Sequence, residues 1–293
     1  MSATLHLVAG PPFGVDLFRG VVARLRDKRP DLVVQTHSVV ELGASPEAAA
    51  AALAGRVAAE DLVVAHALAV PAAAFLAHLG TGARVMLLNG PLRALDPVSR
   101  AVVALAGLPA AADTVFLPAP WLAWLRSSAG LRRAVANPYA MDRDTVAALC
   151  GPLVADRSRR RALVAYLRAL ATPWPDPGAA PGELTLFWGD NDRLNPLSIA
   201  ADVEARRGAG TLRVAPGGRY AWPEEMPWSL ADTLSARLPA APRESQSGAN
   251  PPITTSTSRL GGQAPSQTPL ASKKTKGSGG EKPSRPRSGT PLA

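Results

Sequence analysis

The sequence predicts an α/β fold, a mostly parallel sheet flanked by helices, with a helical block inserted between two parts of the sheet and a tail unlike either. Three observations carry this reading. Apolar runs rich in β-branched residues alternate with helical stretches through the first ninety residues, which is the pattern of strands buried on both faces. Between Leu92 and Pro181 the alternation gives way to helical sequence alone, and near residue 240 the composition changes abruptly. The expected organisation is therefore a first core part over 1–91, a helical cap over 92–181, a second core part over 182–240 and a disordered basic tail over 241–293.

Each element has its own local reason. The run TLHLVAG (4–10) predicts a strand that ends in the turn GPPFG, and VDLFRGVVARLRDK (15–28) has apolar residues at helical spacing. A second strand is predicted at 31–39. The helix at 45–60 opens with Ser45 as cap, Pro46 at the first helical position and Glu47 in the first turn. DLVVAHA (61–67) predicts the third strand, VPAAAFLAHL (70–79) its helix and ARVMLLNGP (83–91) the fourth. Four helical stretches follow, beginning at Asp96, Ala119, Met141 and Asp156. Sheet sequence resumes with ELTLFWGDNDRLNP (183–196), a helix near 198–208, a last strand at 211–220 and a closing helix from Pro227.

Charge follows the same boundaries. Of the formal net charge of +9, the tail contributes +6, from eight Lys/Arg and two Glu, and its Ser, Thr, Pro, Gly and Lys hold too few apolar residues to offset the entropy of ordering. The high isoelectric point is thus mostly a tail property. With no interleaved aromatic residue, the tail reads as a solubilising extension that touches anionic surfaces weakly, and no specific nucleic-acid partner is expected. Cys150 is the single cysteine, which excludes a disulfide framework and a cysteine metal cluster and suits a reducing, cytoplasmic location. The N-terminus has no basic segment before its apolar run, against a secretory signal, and the run from Leu62 to Leu79 divides into strand and helix, against a membrane span.

Four short motifs fall in order along this framework. They are LHLVAG with PPFG (5–14), VVAHALA (63–69), LFWGDNDRLNP (186–196), in which Gly189, Asp192 and Pro196 form G-x-x-D-x-x-x-P, and APGGRYAWPEEMP (215–227). Together they resemble the α/β-hydrolase superfamily over most of residues 4–238. That resemblance implies an oxyanion loop at Gly10 and Pro11, a strand–turn–helix elbow of the G-x-S-x-G kind at 65–69, an acid at Asp192 and a histidine after Gly218. This sequence departs from the pattern at two of the three catalytic places. Ala67 stands where the nucleophile belongs and Arg219 where the histidine belongs, and neither a methyl group nor a protonated guanidinium does that chemistry. The oxyanion hole is also altered. One donor would be the N–H of Leu68, but the loop reads Gly10-Pro11-Pro12 and proline has none to give, so the second donor depends on loop geometry.

Other candidates have ordinary readings beside functional ones. His66 is expected to support the elbow beside the site rather than act in it. His6 and His37 lie on apolar strands and His78 on an Ala-rich helix, none spaced as metal ligands, so neither metal nor other cofactor is expected. Cys150 reads as a buried small hydrophobe, and Asp190 as a turn residue diverging from Asp192. Trp121 and Trp124, with Trp174, Trp188, Trp222 and Trp228 elsewhere, are candidates to line an apolar cleft, and an Arg219–Asp192 salt bridge is the expected successor of the catalytic contact. The leading expectation is a non-catalytic member that binds a small apolar ligand or a protein. Its alternatives are an enzyme acting on an ester, amide or related small molecule through a non-standard site, and a tail that docks an anionic partner.

Overall fold

A computed structural model describes residues 3–139 and 141–238, all within one compact unit. The predicted tail at 241–293 lies outside the described residues. Six strands, β1 (Thr4–Ala9), β2 (Val33–Ser38), β3 (Leu62–His66), β4 (Arg84–Leu88), β5 (Leu184–Gly189) and β6 (Leu212–Ala215), form one sheet in the order β2-β1-β3-β4-β5-β6. Every pairing is parallel, with Leu7 opposite Val64 and Leu87 opposite Leu186. The burial patterns follow position. β3 and β5 are buried at every residue, whereas the edge strands β2 and β6 are largely open.

The helices that cover the first part of the sheet are α1 (Arg19–Lys28), α2 (Val39–Leu42), α3 (Pro46–Ala54) and α4 (Val70–His78). α3 begins as its sequence requires, the Ser45 hydroxyl accepting from Ala48 N at 3.1 Å, but it stops at Ala54, short of the predicted 60, because Gly55 caps it. The inserted block holds α5 (Pro97–Ala106), α6 (Pro118–Arg126), α7 (Arg143–Cys150) and α8 (Arg157–Ala169), and among its described residues no strand occurs. Asp96, Asp142 and Asp156 cap α5, α7 and α8 through backbone N–H groups. α9 (Leu197–Arg207), α10 (Trp222–Glu225) and α11 (Pro227–Arg237) complete the chain. The last strand is shorter than predicted, ending at Ala215, and the single-turn helices α2 and α10 escape the sequence reading because four residues show no period. Among the described residues no helix is long and apolar enough to cross a membrane.

From β1 the chain steps outward to β2, then returns to place β3 on the other side of β1. The loops after β1 and β3 therefore lie side by side at the carboxyl edge of the sheet before their chains lead away from each other. In open α/β sheets this reversal opens a crevice for ligands.

Candidate functional site

The elbow after β3 is formed at backbone level. Ala67 has φ +57°, a left-handed conformation that disfavours an L-residue by roughly 1–2 kcal/mol. The Ala67 N–H donates to Asn89 O at 3.1 Å, and one 3₁₀ turn over Ala67–Ala69 leads directly into α4. Ala67 is fully buried. A strained, enclosed tip persists here with a methyl group as its side chain.

The loop after β1 presses against this corner. A β-carbon at Gly10 would lie 2.1 Å from Ala69 N and 2.6 Å from the carbonyl carbon of Leu68, so only glycine fits. Beyond it, Pro11 and Pro12 have no N–H. Phe13 N donates to Gly10 O at 3.1 Å, and Gly14 N to Leu149 O at 2.6 Å. Every backbone donor from 11 to 14 is thus absent or engaged.

Asp192 is buried and faces Asn89, a residue the motifs did not single out. Asn89 Nδ2 donates to Asp192 Oδ2 at 2.7 Å, while Asn89 Oδ1 accepts from Gly189 N at 2.8 Å and from Trp222 Nε1 at 2.7 Å. The other carboxyl oxygen of Asp192 accepts from Leu194 N at 2.8 Å. Burial raises the Asp192 pKa to about 6 even though these donors pull it down. The only sequence signal for Asn89 was a polar residue closing an apolar strand. Gly189 has a steric role, since a β-carbon there would meet Gly218 O at 2.4 Å. Asp190 diverges as expected, accepting from Gly217 N.

Arg219 does not pair with Asp192, contrary to expectation. Its Nη1 donates to Val135 O at 2.8 Å in the inserted block. Two neighbouring contacts reinforce the attachment: Ala221 N donates to Ala134 O at 3.3 Å, and Glu225 Oε1 accepts from Ala136 N at 2.6 Å and Asn137 N at 3.1 Å. The guanidinium where a histidine was expected belongs to a latch between the last loop and the block. Both Asp192 oxygens already accept from neutral N–H donors.

Beside Leu68 lies a cavity of about 40 Å³. Pro11, Leu68, Leu194 and Tyr220 form its sheet side, and Trp121 and Trp124 its block side, with the two indoles stacked 5.2 Å apart. His66, a possible cleft residue expected to support the elbow, is outside the wall, fully buried beneath Tyr220, with its Nε2 2.6 Å from Tyr220 O. Ala67, Asp192 and Arg219 are outside it as well. Trp188 and Trp222 pack in the core, Trp174 sits partly buried elsewhere, and Trp228 is exposed beneath Arg24.

Burial lowers the His66 pKa to about 4, only partly offset by its bond to the Tyr220 carbonyl, so the ring is neutral and Nε2 carries the proton. The unfolded chain binds a proton there below about pH 6.5. His66 therefore withdraws stability as pH falls from about 6.5 toward 4, while Asp192, raised in the folded state, acts in the opposite sense between about 4 and 6. In urea unfolding, His66→Gln is expected to remove about 2 kcal/mol of the wild-type loss between pH 7 and 4.5. Equal pH slopes in the two proteins would contradict the neutral assignment.

The structure also joins residues that the sequence kept apart. His6 Nδ1 lies 3.1 Å from His37 Nε2, and His6 Nε2 lies 3.3 Å from Asp61 Oδ2. Asp61 also accepts from Thr4 N and Ala58 N, so this chain ties β1 to its neighbours. Burial lowers both histidines, His37 to about 4. Among the described residues no group of three or more His, Cys, Asp or Glu is arranged to hold a metal ion. Cys150 is buried in α7, which pushes its thiol up and leaves it unreactive.

No protein-family model and no curated protein matches this sequence. Solved structures do. A thermophilic esterase from Thermogutta terrifontis aligns at a TM-score of 0.61 and 15% identity over 80% of this chain and 90% of its own. A Burkholderia ambifaria protein described as an alpha/beta hydrolase fold protein aligns at 0.58 and 19% identity over 81% and 91%. The epoxide hydrolase CorEH aligns at 0.56 and 14% identity over 79% and 89%. At these identities the likeness lies in the arrangement of the backbone.

Proposed function

We propose that this protein, which has the α/β-hydrolase fold, binds a small apolar ligand between its sheet and an inserted helical cap and does not turn it over by serine-hydrolase chemistry. Ala67 is the observation that carries the reading. The elbow keeps its left-handed tip, yet the side chain there is a buried methyl, and no imidazole lines the adjoining cavity. Loss of nucleophile and base from a serine protease lowers kcat by roughly 10⁶-fold, and the remaining background relies on an oxyanion hole. Here the loop that would complete that hole offers no free N–H from 11 to 14. What remains is an apolar enclosure, the usual character of a small-molecule site.

An enzyme working through a non-standard site is favoured by one observation, the Asp192 carboxyl titrating near neutrality. Against it, both Asp192 oxygens are hydrogen-bonded inside the protein and neither reaches the cavity wall. The two readings separate in one experiment. With p-nitrophenyl acetate and butyrate, release is expected to stay at the buffer rate, and a fluorophosphonate probe to leave no adduct, while small apolar compounds raise Tm. Turnover that disappears in Tyr220→Phe or Trp121→Phe would establish the enzyme instead.

A further inference from the structure

A second depression, of about 300 Å³, lies where the two ends of the inserted block meet. Leu95 and Val103 wall one side, before and within α5, and Leu170, Pro173 and Trp174 wall the other, at and beyond the end of α8. α5 separates it from the cavity beside Leu68. Val98, Ser99 and Val102 line that cavity, whereas Arg100 and Val103 line this one. The depression is thus a different place from the elbow, and its volume reaches the roughly 300–1,000 Å³ range of small-molecule sites.

Trp174 gives this wall a fixed surface. Its Nε1 donates to Leu92 O at 3.2 Å, and its ring packs against the core cluster. With its polar edge engaged, the indole has only carbon surface to offer the depression. The charges around that surface do not balance. Arg93 and Arg206 share one acid, Asp176, each at 2.9 Å. Arg100 is exposed, and its side chain has no ion pair or hydrogen bond among the described residues. No carboxylate lines the depression. Asp96, close by in sequence, is buried and committed to Val98 N, Ser99 N and Ser99 Oγ.

Three guanidinium groups therefore stand against one available carboxylate, beside an apolar hollow. An exposed arginine alone is simply solvated. One that borders carbon surface with no acid in reach is complementary to an anion with an apolar body. The guanidinium fork matches the plane and spacing of a carboxylate. Indole is best covered by a flat aromatic ring lying offset on it.

We infer that this depression is a binding site for a free aromatic carboxylate, with Arg100 holding the carboxylate and Trp174 the ring. Arg93 stays with Asp176 and adds positive field. The site is independent of whatever the cavity beside Leu68 takes.

Three naphthalenes that differ mainly in charge test this on the full-length protein at low ionic strength: 2-naphthoate, its neutral isostere 2-naphthamide and cationic 2-naphthylmethylammonium. The readout is the Trp174 indole N–H resonance in nitrogen-15 correlated NMR spectra, assigned with Trp174→Phe. Naphthoate is expected to move it and to bind about tenfold more tightly than naphthamide. In Arg100→Gln that margin is expected to fall below about threefold, with naphthamide binding unchanged. The ammonium compound is expected to leave the resonance unmoved. Equal affinities for naphthoate and naphthamide, or an undiminished margin in Arg100→Gln, would overturn the inference. So would a Trp174 resonance that no compound moves at saturation, or a naphthoate response at Trp121 in its place.

Discussion

Asn89→Ala is expected to lower unfolding stability by about 3–5 kcal/mol, measured by urea titration at pH 7. The side chain serves three buried partners at once: Asp192 Oδ2, Gly189 N and Trp222 Nε1. Truncation leaves all three without it and opens a void next to Trp222, which is fully buried. Asn89→Asp separates the electrostatic part from the packing part. A second carboxyl beside Asp192 still accepts from Gly189 and Trp222 but shares a proton with its neighbour, which raises the folded pKa of the pair further. A raised folded value means that the stabilisation is present at low pH and is lost as pH rises through it. The Asp variant should therefore be closer to wild type at pH 5 than at pH 8. A pH-independent deficit would show that Asn89 acts only by filling space.

Gly10→Ala is expected to cost at least about 4 kcal/mol, or to prevent folding, because the new methyl meets backbone on both sides. The nearest atoms are Ala69 N at 2.1 Å and the Leu68 carbonyl carbon at 2.6 Å, and neither moves without distorting the elbow. Gly182→Ala is the matched control. Its β-carbon meets nothing within 4 Å, so its effect should stay within about 0.5 kcal/mol. Thermal melts of the two variants decide the matter, and a Gly10 variant as stable as the control would mean that the loop stands off from the elbow. The same close approach bears on function. It holds the loop carrying Pro11 and Pro12 beside Leu68, where a hydrolase would collect its oxyanion donors.

Much of the framework was legible because burial leaves a periodic trace. Strands enclosed by helices on both faces had to be continuous apolar runs, as at Leu62–His66 and Leu184–Gly189, and helix starts carried their caps in sequence at Ser45, Asp96 and Asp156. Ala67 and Leu68 were found because a strand–turn–helix corner needs small residues in a fixed local order. Contacts between distant segments left no such trace. His6 and His37 lie on β1 and β2 and Asp61 directly before β3, and their pairing depends on parallel register rather than on spacing along the chain.

The site shows the same division. By itself the sequence determined the sheet and its inserted helices, and the alanine at 67 and arginine at 219 within their motifs, since each is a matter of residue type within a local pattern. Only the tertiary structure decided where those side chains go. It turned Arg219 out to Val135, gave Asp192 to Asn89, drew His66 beneath Tyr220 and left the buried Trp121 indole N–H without a partner among the described residues. Long side chains reach whichever partner the packed chain leaves unsatisfied, and that competition is settled only when the segments meet.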